Sequence, residues 1–277
     1  MTDPRAHSLC TAARDLRSHL AARAAVVEHN RQADDETIQK LAAAGVFRML
    51  VPSEHQGLEV HPLTFVTVLE ELARADAATA WCVMTGSTAG ILSAYMSKQG
   101  ADELWGADPA VVMASIFAPM GRAVREEGGY RVSGRWPFAS GCRGASWHAG
   151  GCFIMDDGKP ELDADGRPIN LQVFVPASES TIHDTWKVSG LRGTGSHDIE
   201  VEGIFVPESR TSLIIGKQPR ARCALTTFPP FGLLACGVAA VGTGIARAAL
   251  DEIRGLVQNK RPAGSRKPMA SRELVQV

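Results

Sequence analysis

Two aromatic side chains and one hydroxyl occupy alternate positions in residues 134–142, as Trp136, Phe138 and Ser140. If this segment is a strand, side chains two positions apart point to the same face. Pro137 cannot donate a hydrogen bond to a sheet, so the strand should lie at an edge or contain a bulge. Such a face suits a flat aromatic ligand with a polar rim. A strand that packs its aromatic rings into a core is the alternative, and these residues alone favour it.

A second segment with chemical potential is the glycine-rich run G-L-R-G-T-G-S at residues 190–196. Glycine allows a backbone to approach a ligand closely. Arg192, Thr194 and Ser196 are the side chains there that could contact one. A tight turn between two strands, with Arg192 in a surface ion pair, explains the same residues equally well.

Other classes of site are weakly supported by the sequence. The six cysteines include no C-x-x-C pair and no histidine spacing suited to zinc, so no metal site is predicted. His148 and His197 lie near the two segments, but a solvated or hydrogen-bonded core histidine is the favoured interpretation. Gly242 and Gly244 lie inside a helical pattern and follow no strand, which argues against a dinucleotide-binding fold.

Charge and hydropathy restrict the possible partners. The 29 Lys and Arg balance 30 Asp and Glu, so the net charge favours neither a nucleic-acid partner nor an acidic membrane. The N-terminus lacks the basic and apolar segments of a secretion signal. The apolar stretches 77–96 and 231–246 are poor membrane spans, because the first is rich in Thr, Ser and Gly and the second is short. We expect a cytoplasmic protein with reduced cysteines.

The elements that must position these residues fall into three predicted domains of an α+β fold. Residues 1–110 predict helices. The second should start at Asp34-Asp35, and Pro62 should lie in the first turn of the third. Asp76 should cap a fourth helix that runs to the Gln99-Gly100 region. Residues 111–216 predict short antiparallel strands in a barrel or sandwich. Residues 217–277 predict an incomplete C-terminal helical domain, with a long helix from about 229, then a loop and the start of another helix.

Within the predicted β domain, residues 199–205 alternate apolar and acidic side chains. The alternation predicts that Ile199, Val201 and Phe205 share one face, opposite Glu200 and Glu202.

Five segments in this order resemble the acyl-CoA dehydrogenase superfamily. They are IQKLAAAGVFRMLVP at 38–52, LEELARADAATAW at 69–81, GGYRVSGRWPFASGC at 128–142, WKVSGLRGTGSHDIEVEGIFVP at 186–207 and GIARAAL at 244–250. The W-P-F-A-S-G and G-L-R-G-T-G-S forms are more similar to the flavin-dependent monooxygenase branch than to the dehydrogenases. Dehydrogenases usually carry an acidic T-E-P-x-A-G-S-D segment where this chain has SIFAPMGRAV.

The resemblance implies a role for the first segment at a flavin. It places the Ser140 hydroxyl near flavin N5, where a neutral oxygen can accept a hydrogen bond from N5–H without adding a charge. Trp136 and Phe138 become walls of the flavin pocket that keep the site dry. The implied cofactor is reduced FMN or FAD, supplied by a reductase.

The resemblance also implies weaker candidates in two other segments. Residues 115–121 occupy the place where relatives present backbone groups to the flavin pyrimidine edge, which makes Ser115 and Ala118 main-chain candidates. Arg192, Thr194 and Ser196 in the glycine-rich run are further candidates for cofactor binding.

The function implied is that of an oxygenase component that uses reduced flavin and O2 to hydroxylate a small organic substrate. Its expected partners are a flavin reductase and further copies of itself, since full-length relatives form tetramers. In the family the C-terminal bundle supplies the catalytic Glu of dehydrogenases or the His of many monooxygenases, and we expect that domain to be incomplete here. The alternatives are an FAD-dependent acyl-CoA dehydrogenase and a truncated, inactive member that acts only as a binding or assembly subunit.

Overall fold

A computed structural model describes residues 4–213, 218–220 and 222–271. The helices are α1 Pro4–Asn30, α2 Asp35–Ala43, α3 Pro62–Ala73, α4 Ala77–Ala89, α5 Lys98–Ala101 and α6 Pro230–Asn259. The strands are β1 Met113–Glu126, β2 Gly129–Ala139, β3 Trp147–Asp156, β4 Lys159–Pro160, β5 Asn170–Pro176, β6 Thr181–His183, β7 His197–Pro207 and β8 Thr211–Ser212. The predicted α+β fold class, with helices before and after a sheet, is confirmed.

Local capping sets the starts of the N-terminal helices as predicted. The Asp34 side chain accepts a hydrogen bond from the Thr37 amide at the start of α2, and the Asp76 side chain accepts one from the Thr79 amide at the start of α4. Pro62 is the first residue of α3. The two aspartates accept from backbone amides that have no partner within the helix, and Pro62 suits the first turn because it lacks such an amide.

Helix α4 is shorter than the sequence predicted. It ends at Ala89 and is followed by a 3-10 segment, Gly90–Tyr95, before the short α5 begins at Lys98. The Ser93 hydroxyl donates to the Gly90 carbonyl at 2.6 Å, which competes with the regular helical ladder. The predicted continuous helix to the Gln99-Gly100 region is therefore wrong.

The strands form one mixed sheet in the order β6-β7-β2-β1-β3-β5-β8, with β4 paired to β3. All pairs are antiparallel except β1 with β3, which run parallel. The antiparallel expectation therefore fails for this one pair. After the β1–β2 hairpin, residues 140–146 turn the chain back, and β3 then pairs with the other edge of β1. Since the chain reverses direction twice between β1 and β3, these two strands run parallel.

Three apolar clusters hold the helices against the sheet. One lies among the helices and a second lies within the sheet, around Trp136. The third joins the two parts, and in it the Trp105 ring meets Phe174 edge-on, with ring centroids 5.5 Å apart. The helical block therefore has a fixed position relative to the strands.

Helix α6 packs against α3 and α4 through its small residues. A Cβ atom added at Gly237 would lie 2.7 Å from Met84 Cγ, which shows how closely the helices approach. By length and composition alone α6 could cross a membrane, a criterion that core helices also meet. The division at 110/111 and 216/217 stays a prediction, and the helix expected to start near the C-terminus falls mainly on residues 272–277, outside the described part.

Candidate functional site

The end of β2 does not present its three predicted site residues on one face. The pairing of β2 with β7 shifts register between Trp136 and Ala139, and Phe138 has a φ of +64°. Trp136 is 2% exposed whereas Phe138 is 66% exposed. The expectation of a shared face is wrong, because the irregularity turns the backbone between these two aromatic residues.

Trp136 belongs to the core of the sheet. Its Nε1–H donates to the Gly151 carbonyl at 2.7 Å. Cβ atoms added at Gly121, Gly134 or Gly150 would lie 2.3–2.9 Å from its ring, so three glycine backbones enclose the indole. The core interpretation is correct for this residue, and Trp136 is not a wall open to a ligand.

Phe138 is held outward in a strained conformation. A left-handed φ costs an aromatic residue roughly 1–2 kcal/mol, so the surrounding structure must impose it. Its ring meets Trp186 edge-on, with centroids 6.1 Å apart and planes at 89°. The Phe138 ring is therefore exposed on one side and contacts the Trp186 indole, two positions before Ser140 in the chain.

Ser140 is buried and lies at one end of a chain of hydroxyl groups. Trp81 Nε1–H donates to Ser140 Oγ at 3.1 Å, and Ser140 Oγ lies 2.8 Å from Ser196 Oγ. Ser196 Oγ lies 2.6 Å from Thr194 Oγ1, which donates to the Leu191 carbonyl at 2.9 Å. Three of the predicted site residues are thus brought into direct contact.

Backbone contacts also tie the two predicted segments together. The Gly141 amide donates to the Thr194 carbonyl at 2.8 Å, and the Cys82 thiol reaches the same carbonyl at 3.5 Å. Gly141 has a φ of +75°, so the sharp turn after Ser140 needs a residue without a Cβ. Burial raises the pKa of the Cys82 thiol, which stays protonated and therefore acts as a weak donor.

Helix α4 reaches a second segment of the predicted site. Ser115 Oγ donates to the Thr85 carbonyl at 3.1 Å, one turn beyond Trp81 on the same helix. Ala118 is exposed, in a part of β1 whose register with β3 shifts. Because β1 and β2 are antiparallel, the start of β1 lies at the same end of the sheet as the end of β2.

Arg192 contacts main-chain carbonyls rather than the carboxylate of the predicted surface ion pair, and its role in cofactor binding stays a prediction. Its guanidinium donates to the Glu28 carbonyl at 3.5 Å and the Val188 carbonyl at 3.4 Å, rather than to a carboxylate. A Cβ atom added at Gly195 would lie 2.5 Å from the Arg31 carbonyl oxygen. The close approach made by the glycine-rich turn is to the end of α1, and Arg192 joins that contact.

His148 stabilises the turn that follows Ser140. Its Nε2–H donates to the Cys142 carbonyl at 2.9 Å, and Nδ1 lies 2.6 Å from Ser180 Oγ. Since a carbonyl can only accept, the proton is on Nε2 and Nδ1 is the acceptor. Burial lowers the pKa of His148, so the ring is neutral, as expected of a hydrogen-bonded core histidine.

A cavity of about 30 Å³ borders Ser140 on the side of α2 and α4. Its apolar lining includes Ile38, Leu41, Phe47 and Cys82. This space holds about one or two water molecules and no ring system.

Sequence reasoning missed Trp81 and Trp186 as parts of this site. Trp81 lies 59 positions before Ser140 in the chain, and only the packing of α4 on the end of the sheet joins them. The dipeptide Ala80-Trp81 belonged to a segment that carried the family resemblance, which was the one available signal.

An N-terminal helical block, a mixed sheet and a long following helix define an acyl-CoA dehydrogenase-like fold. The family of acyl-CoA dehydrogenase N-terminal domains matches residues 6–104. The crystal structure of the HsaA monooxygenase from Mycobacterium tuberculosis superposes with a TM-score of 0.83 at 30% identity, over 96% of this chain and 71% of that chain. The chain therefore belongs to the acyl-CoA dehydrogenase superfamily, on the side of its flavin-dependent monooxygenases.

Individual relatives agree on this branch. The chain is 37% identical over 210 residues to the flavin-dependent monooxygenase oxygenase subunit HsaA of M. tuberculosis, covering 74% of this chain and 50% of that protein. It is 32% identical over 256 residues to indole-3-acetate monooxygenase of Pseudomonas putida, covering 92% of this chain and 64% of that protein. XiaF from Streptomyces sp., solved with FADH2 and glycerol, superposes with a TM-score of 0.83 at 27% identity, over 95% and 66% of the two chains. The chain spans about half of HsaA and under two thirds of the second enzyme.

Proposed function

We propose that this chain forms the flavin-binding part of the oxygenase component of a two-component monooxygenase. It would take reduced FMN or FAD from a separate reductase and use O2 to hydroxylate a small organic substrate. The names of the relatives support this reaction class, and the FADH2 bound to XiaF supports reduced flavin as the cofactor. The observation that carries the proposal is the buried Ser140 hydroxyl, two residues after the exposed Phe138 ring.

The residues present fit a flavin at this position. Phe138 offers an exposed aromatic ring, and the Trp186 indole packs against that ring edge-on. The irregular part of β1 around Ala118 leaves main-chain groups that could bind the polar edge of the ring, while Ser115 anchors that strand to α4. Ser196 contacts the Ser140 hydroxyl, and Thr194 contacts Ser196.

The bound reduced flavin would supply the electrons that activate O2. Ser140 Oγ would accept a hydrogen bond from N5–H of that flavin, which would help to keep the proton on the ring. Trp81 fixes the Ser140 hydroxyl by donating to it. The exposed Phe138 ring would cover part of a bound flavin and so reduce its contact with water.

The assembly around this site is part of the same proposal. The oxygenase-subunit names of relatives support a reductase partner and a small-molecule substrate. We propose a cytoplasmic homo-oligomer, with domains at 1–110, 111–216 and 217–277. The boundary near 111 is supported by the change from helix to strand at Met113.

Anaerobic titration with reduced FMN and reduced FAD tests the proposal. Ser140→Ala should weaken reduced-flavin binding by roughly fivefold to tenfold, because one hydrogen bond of about 1 kcal/mol is lost. With reductase and O2, the same variant should release more hydrogen peroxide per reduced flavin. Ser189→Ala is the control, since Ser189 is exposed on the neighbouring loop. Failure of the wild-type chain to bind reduced flavin, or reduction of bound FAD by an acyl thioester, would contradict the proposal.

A further inference from the structure

Each polar group of Trp186 is held by a partner from a different part of the fold. The Trp186 amide donates to His197 Nδ1 at 3.2 Å, and its carbonyl accepts from the Arg31 guanidinium at 2.8 Å. Its indole Nε1–H donates to the Leu191 carbonyl at 3.1 Å. The indole in turn meets the Phe138 ring edge-on. The three hydrogen bonds therefore set the position of the ring against which Phe138 packs.

The contact with the Trp186 amide determines the protonation of His197. A backbone N–H can only donate, so Nδ1 must offer a lone pair and a neutral ring carries its proton on Nε2. The protonated ring has a hydrogen on both nitrogens and can accept from neither side. Of the three bonds to Trp186, this one therefore exists only while His197 is neutral.

The charged groups around His197 come from four parts of the chain. Asp184 Oδ1, just after β6, lies 3.7 Å from His197 Nδ1, and Asp198 follows His197 in β7. Arg31, just after α1, donates to both oxygens of Asp184 at 2.6 Å, and Arg143, in the turn after β2, lies 3.7 Å from the same carboxylate. Burial and the two arginines lower the pKa of His197, and they outweigh the two aspartates. The ring is therefore neutral at pH 7 and takes up a proton below about pH 6.5.

Protonation would exchange one contact of His197 for another. The new Nδ1–H would point at the hydrogen of the Trp186 amide, which repels it, and would be attracted to the Asp184 carboxylate. The hydrogen bond from Arg31 holds the pKa of Asp184 at about 2, so that carboxylate stays charged in mild acid. Trp186 would then be held only through its carbonyl and its indole.

We propose that His197 is a positioning residue whose neutral ring holds Trp186 against Phe138, and that mild acid releases this contact and weakens flavin binding. The inference rests on the proposed function and adds to it a dependence of the site on pH. If His197 only stabilised the fold, its replacement would lower stability without changing how flavin binding depends on pH.

The first measurement needs no flavin. The chain has five tryptophans, so labelling with 5-fluorotryptophan gives a simple fluorine NMR spectrum, and Trp186→Phe assigns the signal of Trp186. In the wild type that signal should shift between pH 7.5 and pH 5.5. In His197→Asn the side-chain oxygen can take the place of Nδ1 as acceptor and does not titrate, so the signal should stay constant.

The second measurement is the dissociation constant for anaerobically reduced FMN at the same two pH values. Acidification should weaken binding roughly fivefold to tenfold more in the wild type than in His197→Asn, the value of about one hydrogen bond. The ionisation of FMN itself is common to both proteins and cancels in this comparison. His183→Asn is the matched control, because this half-exposed histidine of β6 pairs with Glu200 and should leave the wild-type dependence unchanged.

The outcomes separate this inference from the proposed function. Thermal unfolding at both pH values checks that the variants fold, and a wild-type Trp186 signal that does not move overturns the inference without any variant of His197. An equal dependence of flavin binding on pH in the wild type and in folded His197→Asn also overturns it, while the proposed function stands. A wild-type chain that does not bind reduced FMN at pH 7.5 overturns both.

Discussion

At the scale of single residues, the site combines one buried hydroxyl with one exposed ring on opposite sides of a sharp turn. Ser140 is 4% exposed, and its partners come from α4 and the turn before β7. Phe138, two positions earlier, has an ordinary side chain in an unusual backbone conformation. Strain of this kind often clusters at functional sites.

The strain at Phe138 predicts an unusual mutational result. Phe138→Asn should leave the free energy of unfolding unchanged or raise it by about 0.5–1 kcal/mol, since Asn tolerates a left-handed φ and little buried area is lost. Flavin binding should weaken in the same variant, because the aromatic face is removed.

Phe205→Asn is the control for this prediction. Phe205 is also exposed, but it lies within β7 and stacks against the Arg131 guanidinium, so its replacement should lower stability. Urea denaturation of both variants provides the comparison. A large loss of stability in Phe138→Asn would show that the left-handed conformation is not strained.

At the scale of elements, the sheet core around Trp136 holds the strand end in place. A Cβ atom at Gly121 would lie 2.3 Å from Trp136 Cζ2 and 2.7 Å from Cys152 Sγ. Gly121→Ala should therefore destabilise the protein by about 1–3 kcal/mol through overpacking. Gly242→Ala, in a part of α6 where nothing lies within 4 Å, should instead be neutral or stabilise by up to about 1 kcal/mol. Equal thermal stability in the two variants would contradict the packing argument.

The hydrogen bond from His148 in β3 to the Cys142 carbonyl, in the turn after Ser140, predicts that the stability of the fold depends on pH. Burial lowers the pKa of His148 below its ordinary value near 6.5, so the unfolded chain binds the proton more readily. Stability is therefore fully present above about pH 6.5 and should fall as the pH is lowered from there. His148→Gln should be less stable at pH 7.5, yet its stability should change less between pH 7 and pH 5.

Urea denaturation between pH 7 and pH 5 measures how steeply the free energy of unfolding changes with pH. Burial also lowers the pKa of His197, so the His148 variant keeps part of the slope. His29→Gln, at an exposed position of α1, serves as the matched control. If the free energy of unfolding changed equally with pH in wild type and His148→Gln, His148 would be excluded as the titrating group.

At the scale of the whole molecule, an apolar face of α6 is exposed among the residues that the structure describes. Phe231, Val238, Ile245, Leu250, Ile253 and Leu256 are all exposed. A contiguous apolar surface of this kind is typical of an interface. We predict that the chain self-associates at micromolar concentrations and that Leu250→Glu with Ile253→Glu shifts it towards monomer.

Analytical ultracentrifugation checks the association. Val26→Glu, which places the same charge on an exposed apolar residue of α1, should leave the association unchanged. A wild-type chain that stays monomeric at high concentration would contradict the prediction, and so would equal dissociation by both charge substitutions.

Much of the fold and part of the site could be predicted from the sequence, because they depend on neighbours along the chain. Asp34 and Asp76 cap the helices that follow them, and the alternation at Ile199 and Val201 identifies their buried face. The same alternation fails at Phe205, which is 41% exposed while Val206 is buried, since β7 changes register with β2 before that point. One inserted residue reverses every later side chain.

The sequence by itself determined the order of helices and strands, the family and the segments in which Ser140, Thr194 and Ser196 lie. Only the tertiary structure decided that these three hydroxyls touch, that Trp81 joins them and that Trp136 turns into the core instead. Caps and periodicity act over a few residues, so the local sequence encodes them. The contacts of Ser140 link positions 56 and 59 residues apart, and the packing of α4 and two turns against the end of the sheet brings them together.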